Sequence, residues 1–503
     1  MNDLKRDADY VFYELTRSIC PECRRVIDAH ILIRDNKVFM RKRCLDHGQF
    51  EALVYGDAEL YTASSRYNKP GTIPVEFSTA IEHGCPHDCG LCPDHQQHAC
   101  LGIIEVNSNC DMDCPLCFAG ASAGFSLALE EVEDILDHLI ATEGNPQVVQ
   151  FSGGEPSIHP QIVPMMRAAQ ARGIPNVMLN TNGKRIARDD RFLAELAEIK
   201  PNIYFQFDGF DSATWSAIRG EPDILPEKLR ALDRLAEIGC TVILVPAIER
   251  GVNEHEVGSI VRFGIDHPAV KGINFQPAFH AGRHGRHDPM QRITNPDILR
   301  LIEAQTEGMF VAKDFVPVPC CFPTCNSVTY AYIDEGGAVT PLPRILNVDD
   351  YLDYITNNVM PDLGAGLRTA LEGLWSSSAA LGSEKTAREF AFSCSACGLP
   401  DGGLDVTGLS KFMFMIMLQD FMDPWTFNQK NLMKCCKEFL LPGGTQIPFC
   451  AYNTVGYREQ ARAQLVAQEP ARREARRKGV PYRVEPVTFS FAPVPMPFGT
   501  IRR

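Results

Sequence analysis

Cys110, Cys114 and Cys117, in the run Asn109-Cys110-Asp111-Met112-Asp113-Cys114-Pro115-Leu116-Cys117-Phe118, are spaced to hold three corners of a 4Fe-4S cluster. With no fourth protein ligand, one iron keeps a coordination site for a substrate or cofactor, a vacancy that a closed electron-transfer cluster does not need. A zinc site or three buried thiols is the plainer alternative for this motif alone. Thirty-four residues after Cys117 begins Phe151-Ser152-Gly153-Gly154-Glu155-Pro156, preceded by Gln147-Val148-Val149-Gln150, which reads as the end of a buried parallel strand. Two glycines let the backbone approach a ligand closely. Their N–H and C=O groups, beside the Glu155 carboxylate, suit the ammonium and carboxylate of an amino-acid moiety.

Other cysteines fall into similar short motifs. Cys20-x2-Cys23 and Cys44-x2-His47 flank strand-like runs at 29–33 and 38–41, the pattern of a small ribbon around one zinc or one iron ion. Cys85-x3-Cys89-x2-Cys92, with His95 and Cys100 beyond, repeats the spacing of the later triplet and ends eighteen residues before it. Only the second triplet is preceded by a long apolar strand and followed by alternating strands and helices. Cys110, Cys114 and Cys117 therefore take the catalytic role, and Cys85, Cys89 and Cys92 an auxiliary cluster of unknown fourth ligand. Cysteines return as Cys320, Cys321 and Cys325, as Cys394 and Cys397, and as Cys435, Cys436 and Cys450. Adjacent cysteines rarely reach one metal together, so the candidate ligands here are Cys320, Cys325, Cys394, Cys397, Cys436 and Cys450, with their pairing open. Nineteen cysteines in a chain with no secretory signal argue for metal ligation over disulfides.

These groups need a scaffold. From about 101 to 277, strand patterns at 102–106, 148–151, 177–180, 203–207, 241–245 and 272–275 alternate with helical patterns at 128–141, 162–172, 192–199, 226–238 and 256–264. The fold class is α/β, with six β/α units forming a partial barrel between cysteine-rich N-terminal and C-terminal metal-binding extensions. In such barrels functional groups gather at the C-terminal ends of strands. The cluster cysteines follow the first strand, Gly153 to Pro156 the second, Asn182 the third, Gln206 and Asp208 the fourth, and Gln276 the sixth. The expected division is 1–66 ribbon, 67–100 auxiliary segment, 101–290 barrel, 291–458 C-terminal cluster domain and 459–503 basic tail. A length of 503 residues with 45% hydrophobic content supports two or three domains, and a net charge of -14 argues against a nucleic-acid partner. No run approaches eighteen apolar residues and the first residues are polar, so a cytoplasmic protein is expected, with room for peripheral contact at the inner membrane face.

The cysteine loop and the Gly-Gly-Glu-Pro turn together resemble the radical S-adenosylmethionine superfamily, and the six β/α units resemble its partial barrel. The resemblance implies a 4Fe-4S cluster and S-adenosylmethionine as cofactors and a low-potential reductant such as ferredoxin or flavodoxin. A 5'-deoxyadenosyl radical then abstracts a substrate hydrogen. It implies cofactor-binding roles for Phe118, Gly153, Gly154, Glu155, Asn182, Asp208 and Gln276, although Leu116 replaces an aromatic that many members carry. Through the late run Ile447-Pro448-Phe449-Cys450-Ala451-Tyr452-Asn453, the order of motifs is similar to the archaeal tetraether lipid synthases and their bacterial relatives, some labelled dihydropterin methyltransferases. The leading expectation is therefore hydrogen abstraction from an unactivated carbon and sp3 carbon-carbon coupling of lipid chains. Radical C-methylation of a pterin or another small molecule is the alternative, peptide modification a third. From another class, a non-catalytic iron-sulfur electron carrier or a zinc-stabilised scaffold would need neither the open cluster corner nor Gly153 to Glu155.

Three further stretches bear on the substrate. The run from Phe412 to Leu418, followed by Phe421, Met422, Trp425 and Phe427, suits either a buried core helix or an adaptable surface for a lipid or other apolar substrate. The basic stretch from Arg472 to Lys478 suits a solvated helix face or anionic lipid headgroups. His280, Arg283, His284, Arg286 and His287 form a cationic loop at the rim expected for the active site, able to hold a phosphate or carboxylate.

Overall fold

Alternation of apolar and polar residues produces two sheets. The computed structural model describes residues 8–491 except 123, 285–287, 320, 335, 345–412, 481 and 483–484. Cys320, Cys394, Cys397, Arg286 and His287 thus lie outside the described residues.

The N-terminal sheet is an antiparallel meander of β1 (Val11–Ile19), β2 (Val26–Arg34), β3 (Lys37–Cys44) and β4 (Gly48–Tyr55). Asp35 and Asn36, at φ 51° and 53°, make the two-residue turn between β2 and β3, a left-handed pair that the right-handed strand twist favours. Ala29, Ile31, Val38 and Met40 form a small core under the helix Ala58–Ser64. Contacts tie this ribbon to the body: Leu53 N–H donates to Pro289 O at 2.8 Å, and the buried Lys42 Nζ donates to Pro424 O at 2.7 Å.

The larger sheet contains the six expected parallel strands in chain order: β5 (Leu101–Asn107), β6 (Val148–Gly153), β7 (Asn176–Thr181), β8 (Asn202–Gln206), β9 (Val242–Val245) and β11 (Val270–Pro277), with the short β10 (Ala247–Ile248) beside β11. The connecting helices Leu129–Glu143, Ile162–Ala171, Asp190–Ile199, Leu225–Glu237 and Val257–Asp266 match the helical patterns to within a turn. In β8, Ile203 and Phe205 are buried while Asn202, Tyr204 and Gln206 line an interior cavity. The barrel therefore turns its apolar side toward the helices and a largely polar side inward on β7 and β8.

Later segments extend both edges. The antiparallel β12 (Val316–Pro317) and β14 (Val339–Pro341) share one edge of β13 (Asn326–Ile333), whose other edge pairs with β15 (Met413–Gln419); β15 in turn runs parallel to β11. At the other edge β16 (Lys437–Leu440) runs parallel to β5, followed by β17 (Gln446–Pro448). The methionine-rich run is thus a strand and not a core helix. Phe414, Ile416 and Leu418 are buried on one face, while Met413, Met415 and Met417 line the cavity on the other. Both faces are apolar, so a period of two is invisible in the residue types. The basic stretch from Arg472 to Lys478 forms the C-terminal part of the helix Tyr457–Lys478, with Arg472 turned inward at 3.0 Å from Glu131.

Candidate active site and metal centres

The loop after β5 brings Cys110, Cys114 and Cys117 to the wall of a cavity of about 500 Å³. Several contacts fix it. Asp111 Oδ1 accepts from Asn182 Nδ2 at 2.7 Å, Leu116 N–H donates to Ile218 O at 3.2 Å, and Cys117 and Arg283 exchange two backbone hydrogen bonds of 2.8 Å. The Arg283 side chain also pairs with Asp113. Burial pushes the Cys110 thiol up to about 12 and raises Cys114, whose rise the neighbouring Arg219 reduces. Met112 N–H points to Cys110 Sγ at 3.4 Å, a contact that favours a ligating thiolate. This donor set of three thiols on one loop, opening onto a cavity, fits a 4Fe-4S cluster with one free corner.

The Gly153–Gly154 pair has a different cause from the one its sequence suggests. A Cβ on Gly153 (φ 134°) would lie 2.1 Å from Asn107 O, and one on Gly154 2.0 Å from Asn109 O. Glycine is thus demanded by the approach of this turn to the cluster loop, where Gly154 N–H and Glu155 N–H donate to those two carbonyls. The Glu155 carboxylate, 2% exposed, accepts from Ser157 N–H, Thr181 Oγ1 and Asn182 N–H at 3.0, 2.7 and 2.7 Å. Burial raises its pKa above the ordinary range despite these donors.

Phe118, Gly153, Gly154, Glu155, Asn182 and Gln276 all line the cavity, but Asp208 does not. Asp208, expected to hold the cofactor, has its carboxylate engaged by protein groups. Both its oxygens accept from Arg219, at 2.7 and 2.8 Å, and Oδ1 also takes Ala247 N–H at 2.9 Å. Arg219, which sequence patterns do not single out, lines the cavity and reaches Leu116 O at 3.3 Å. Lys228 is likewise missed: its buried ammonium donates to Asn182 O at 2.6 Å and Gln206 Oε1 at 2.9 Å. Phe118, Phe279, Phe421 and Phe449 gather at the cluster side, with Phe421 and Phe449 stacked 4.2 Å apart. In the expected cationic loop, Arg283 is committed to the cluster loop and His284 lies 3.6 Å from Glu249.

In the ribbon, one donor atom each from Cys20, Cys23, Cys44 and His47 lies within 4.8 Å of the others. The Cys23–Cys44 sulfur separation of 3.9 Å suits a tetrahedral ion, whose zinc-sulfur bonds of roughly 2.3 Å imply about 3.8 Å between ligands. Burial would raise the Cys44 thiol, but hydrogen bonds from His47 and nearby amides outweigh it and bring the thiol down to about 6.

Cys85, Cys89 and Cys92 surround a small cleft with Leu432 and Met433. His95 lines the same cleft, with its Nε2 2.8 Å from Cys435 O. Cys100, isolated in sequence, packs with Cys321 and Cys436, with Cys325 beside them, in a separate buried group. Cys450 belongs to the main core, where its sulfur accepts from Met422 N–H at 3.4 Å. These thiol groups suit auxiliary metal sites. The gathering of Cys100 with residues more than two hundred positions away has no signal in local spacing.

Residues 12–56 match the family model described as HMPTM N-terminal zinc ribbon domain, and residues 104–264 match that of the radical SAM superfamily. A 7,8-dihydro-6-hydroxymethylpterin dimethyltransferase of Methanocaldococcus jannaschii is 32% identical over 479 residues, covering 88% of this chain and 94% of the relative. A GTP 3',8-cyclase of Chlorobaculum tepidum is 32% identical over 179 residues, 35% of this chain and 53% of the cyclase. Among solved structures, Streptococcus suis SuiB bound to its precursor peptide SuiA shares 17% identity at a TM-score of 0.36, over 42% of this chain and 46% of SuiB.

Proposed function

Because the chain belongs to the 7,8-dihydro-6-hydroxymethylpterin dimethyltransferase family of radical S-adenosylmethionine enzymes, we propose that it carries out radical C-methylation of a pterin or a closely similar small heterocycle. The observation that carries this reading is the match along nearly the whole length of the M. jannaschii relative. The cavity supports it. Its volume of about 500 Å³ is that of a small-molecule site, and Tyr204, Asn274, Gln276 and Gln419 put polar groups on its wall. A wall carrying these uncharged polar groups suits a ligand with heteroatoms better than an alkyl chain. The expectation of lipid coupling therefore gives way to methylation, and β15 offers its methionines as one side of a mixed cavity.

When bound, the 4Fe-4S cluster and S-adenosylmethionine supply the hydrogen-abstracting radical chemistry. Cys110, Cys114 and Cys117 would hold the cluster. The Asp208–Arg219 pair braces their loop at Leu116, and Asn182 braces it at Asp111. Phe118, the Gly153–Glu155 edge and Asn182 frame the place for S-adenosylmethionine beside the cysteines. The phenylalanine group at the cluster side excludes water from that region. Cys20, Cys23, Cys44 and His47 would hold the structural ion of the ribbon, and a low-potential ferredoxin or flavodoxin serves as electron source.

Anaerobic turnover with a low-potential reductant, 6-hydroxymethyl-7,8-dihydropterin, S-adenosylmethionine as radical source and a methyl donor in excess (further S-adenosylmethionine or a reduced-folate one-carbon donor), followed by mass spectrometry, tests this. A pterin product with one or more added methyl groups is expected, and none from Cys114→Ala. Unmodified pterin from cluster-loaded protein that cleaves S-adenosylmethionine would remove the pterin reading and leave the enzyme class.

A further inference from the structure

Four side chains on the inner wall form a connected polar ladder that the cluster loop does not use. Asn274 Nδ2 donates to Gln419 Oε1 at 2.9 Å and to Tyr204 Oη at 2.5 Å, and Gln276 Nε2 donates to the same Oη at 2.8 Å. All four residues line the cavity. Their strands place them there: Tyr204 on β8, Asn274 and Gln276 on β11, and Gln419 at the end of β15.

The ladder has capacity left over. Asn274 is 3% exposed, yet its Oδ1 has no hydrogen-bond partner among the described residues. An unpaired buried amide oxygen costs stability, which a donor on a ligand in the adjoining cavity would recover. Both hydrogen bonds recorded at Tyr204 Oη are accepted ones, so its O–H remains to donate. Burial pushes this phenol above its ordinary range, which keeps it a protonated donor. Gln276 Oε1 and Gln419 Nε2 make no bond within the ladder and add one acceptor and one donor. Donors and acceptors thus stand together on one wall with no charged group in the set. Met417 lies opposite Asn274 in the β11–β15 register, and Met413 and Met415 continue its cavity face.

We propose that Tyr204, Asn274, Gln276 and Gln419 are specificity-determining residues that pair with the mixed donor-acceptor edge of a neutral fused nitrogen heterocycle, the amino-pyrimidinone edge of a pterin, while Met413, Met415 and Met417 cover its face. Thioether sulfur packs well on flat aromatic rings, and uncharged amides match an uncharged ring edge without a desolvated ion. This inference rests on the pterin reading above and adds which groups read the ring.

The test is anaerobic equilibrium binding to cluster-loaded protein in the presence of S-adenosylmethionine. The probes are 6-hydroxymethyl-7,8-dihydropterin and its 2-deamino analogue. Asn274→Leu removes the unpaired acceptor, and Tyr204→Phe removes one hydroxyl while keeping the ring, so it decides the matter if the first variant misfolds. Iron content and S-adenosylmethionine affinity report whether each variant is folded. The wild type is expected to prefer the pterin by about tenfold or more. Either folded variant is expected to lose most of that preference through weaker pterin binding. Wild-type affinity and preference in both folded variants would overturn the ladder while the pterin reading stands. A wild type that binds neither probe would overturn both.

Discussion

Asp208 and Arg219 meet through two hydrogen bonds of 2.7 and 2.8 Å, Oδ2 with Nε and Oδ1 with Nη2, with the Asp208 side chain fully buried. Burial alone would lower the Arg219 pKa, but the carboxylate outweighs it and holds the guanidinium above its ordinary value. Nη1 of the same guanidinium reaches Leu116 O between two cluster cysteines, so the pair braces the loop. Asp208→Asn leaves a buried guanidinium without its counter-charge, a loss of about 3–5 kcal/mol. A lowered thermal midpoint and reduced iron content after reconstitution are expected. Arg219→Lys keeps the charge but cannot form the two-pronged contact, so it should also lose iron, read by absorbance and metal analysis.

Lys228 predicts a pH dependence. Burial pulls its ammonium down to about 8, against an ordinary value of 10.5. The unfolded chain therefore binds the extra proton between those values, and stability contributed at this site rises with pH across that window. Relative to Lys228→Met, the wild type should gain on the order of 2 kcal/mol between pH 7.5 and 9.5. Thermal midpoints of both proteins at several pH values check the slope; a difference independent of pH contradicts it.

The glycine pair predicts a local failure. Gly153→Ala combines a left-handed backbone with a Cβ only 2.1 Å from a carbonyl oxygen. Strain and overpacking together should cost about 3–6 kcal/mol. Loss of S-adenosylmethionine binding with a lowered thermal midpoint is the expected result. Gly173→Ala, at a left-handed glycine with open space around it, should cost much less.

The ribbon site predicts a separable metal. Cys23→Ser should remove one equivalent of zinc by elemental analysis and lower the thermal midpoint, because the ribbon strands pack on the body through Leu53 and Lys42. The iron bound by Cys110, Cys114 and Cys117 should remain. Parallel loss of zinc and all iron would contradict independent sites.

Local periodicity carried much of this fold. Alternation between strand and helix patterns from 101 to 277 located six parallel strands, because each buries one whole face against amphipathic helices. It failed at Met413–Gln419, where cavity and core demand apolar residues on both faces. It also missed the strand Lys437–Leu440, whose partner β5 lies far back in the chain. At the site, cysteine spacing marked the cluster loop because its ligands are sequence neighbours. Arg219, Lys228 and Cys100 act through contacts that only the closed barrel creates. Asp208 was visible as a polar residue at a strand end, but its partner was not, and the partner decides what the carboxylate does.

The most direct measurement of the central claim is deuterium transfer. Cluster-loaded, reduced protein is incubated anaerobically with S-adenosylmethionine and 6-hydroxymethyl-7,8-dihydropterin deuterated at its carbon-bound positions, and 5'-deoxyadenosine is analysed by mass spectrometry. Deuterium in 5'-deoxyadenosine, together with a methylated pterin, is the predicted result. Deuterium-free 5'-deoxyadenosine beside unchanged pterin, from protein that has bound the pterin, would contradict the account.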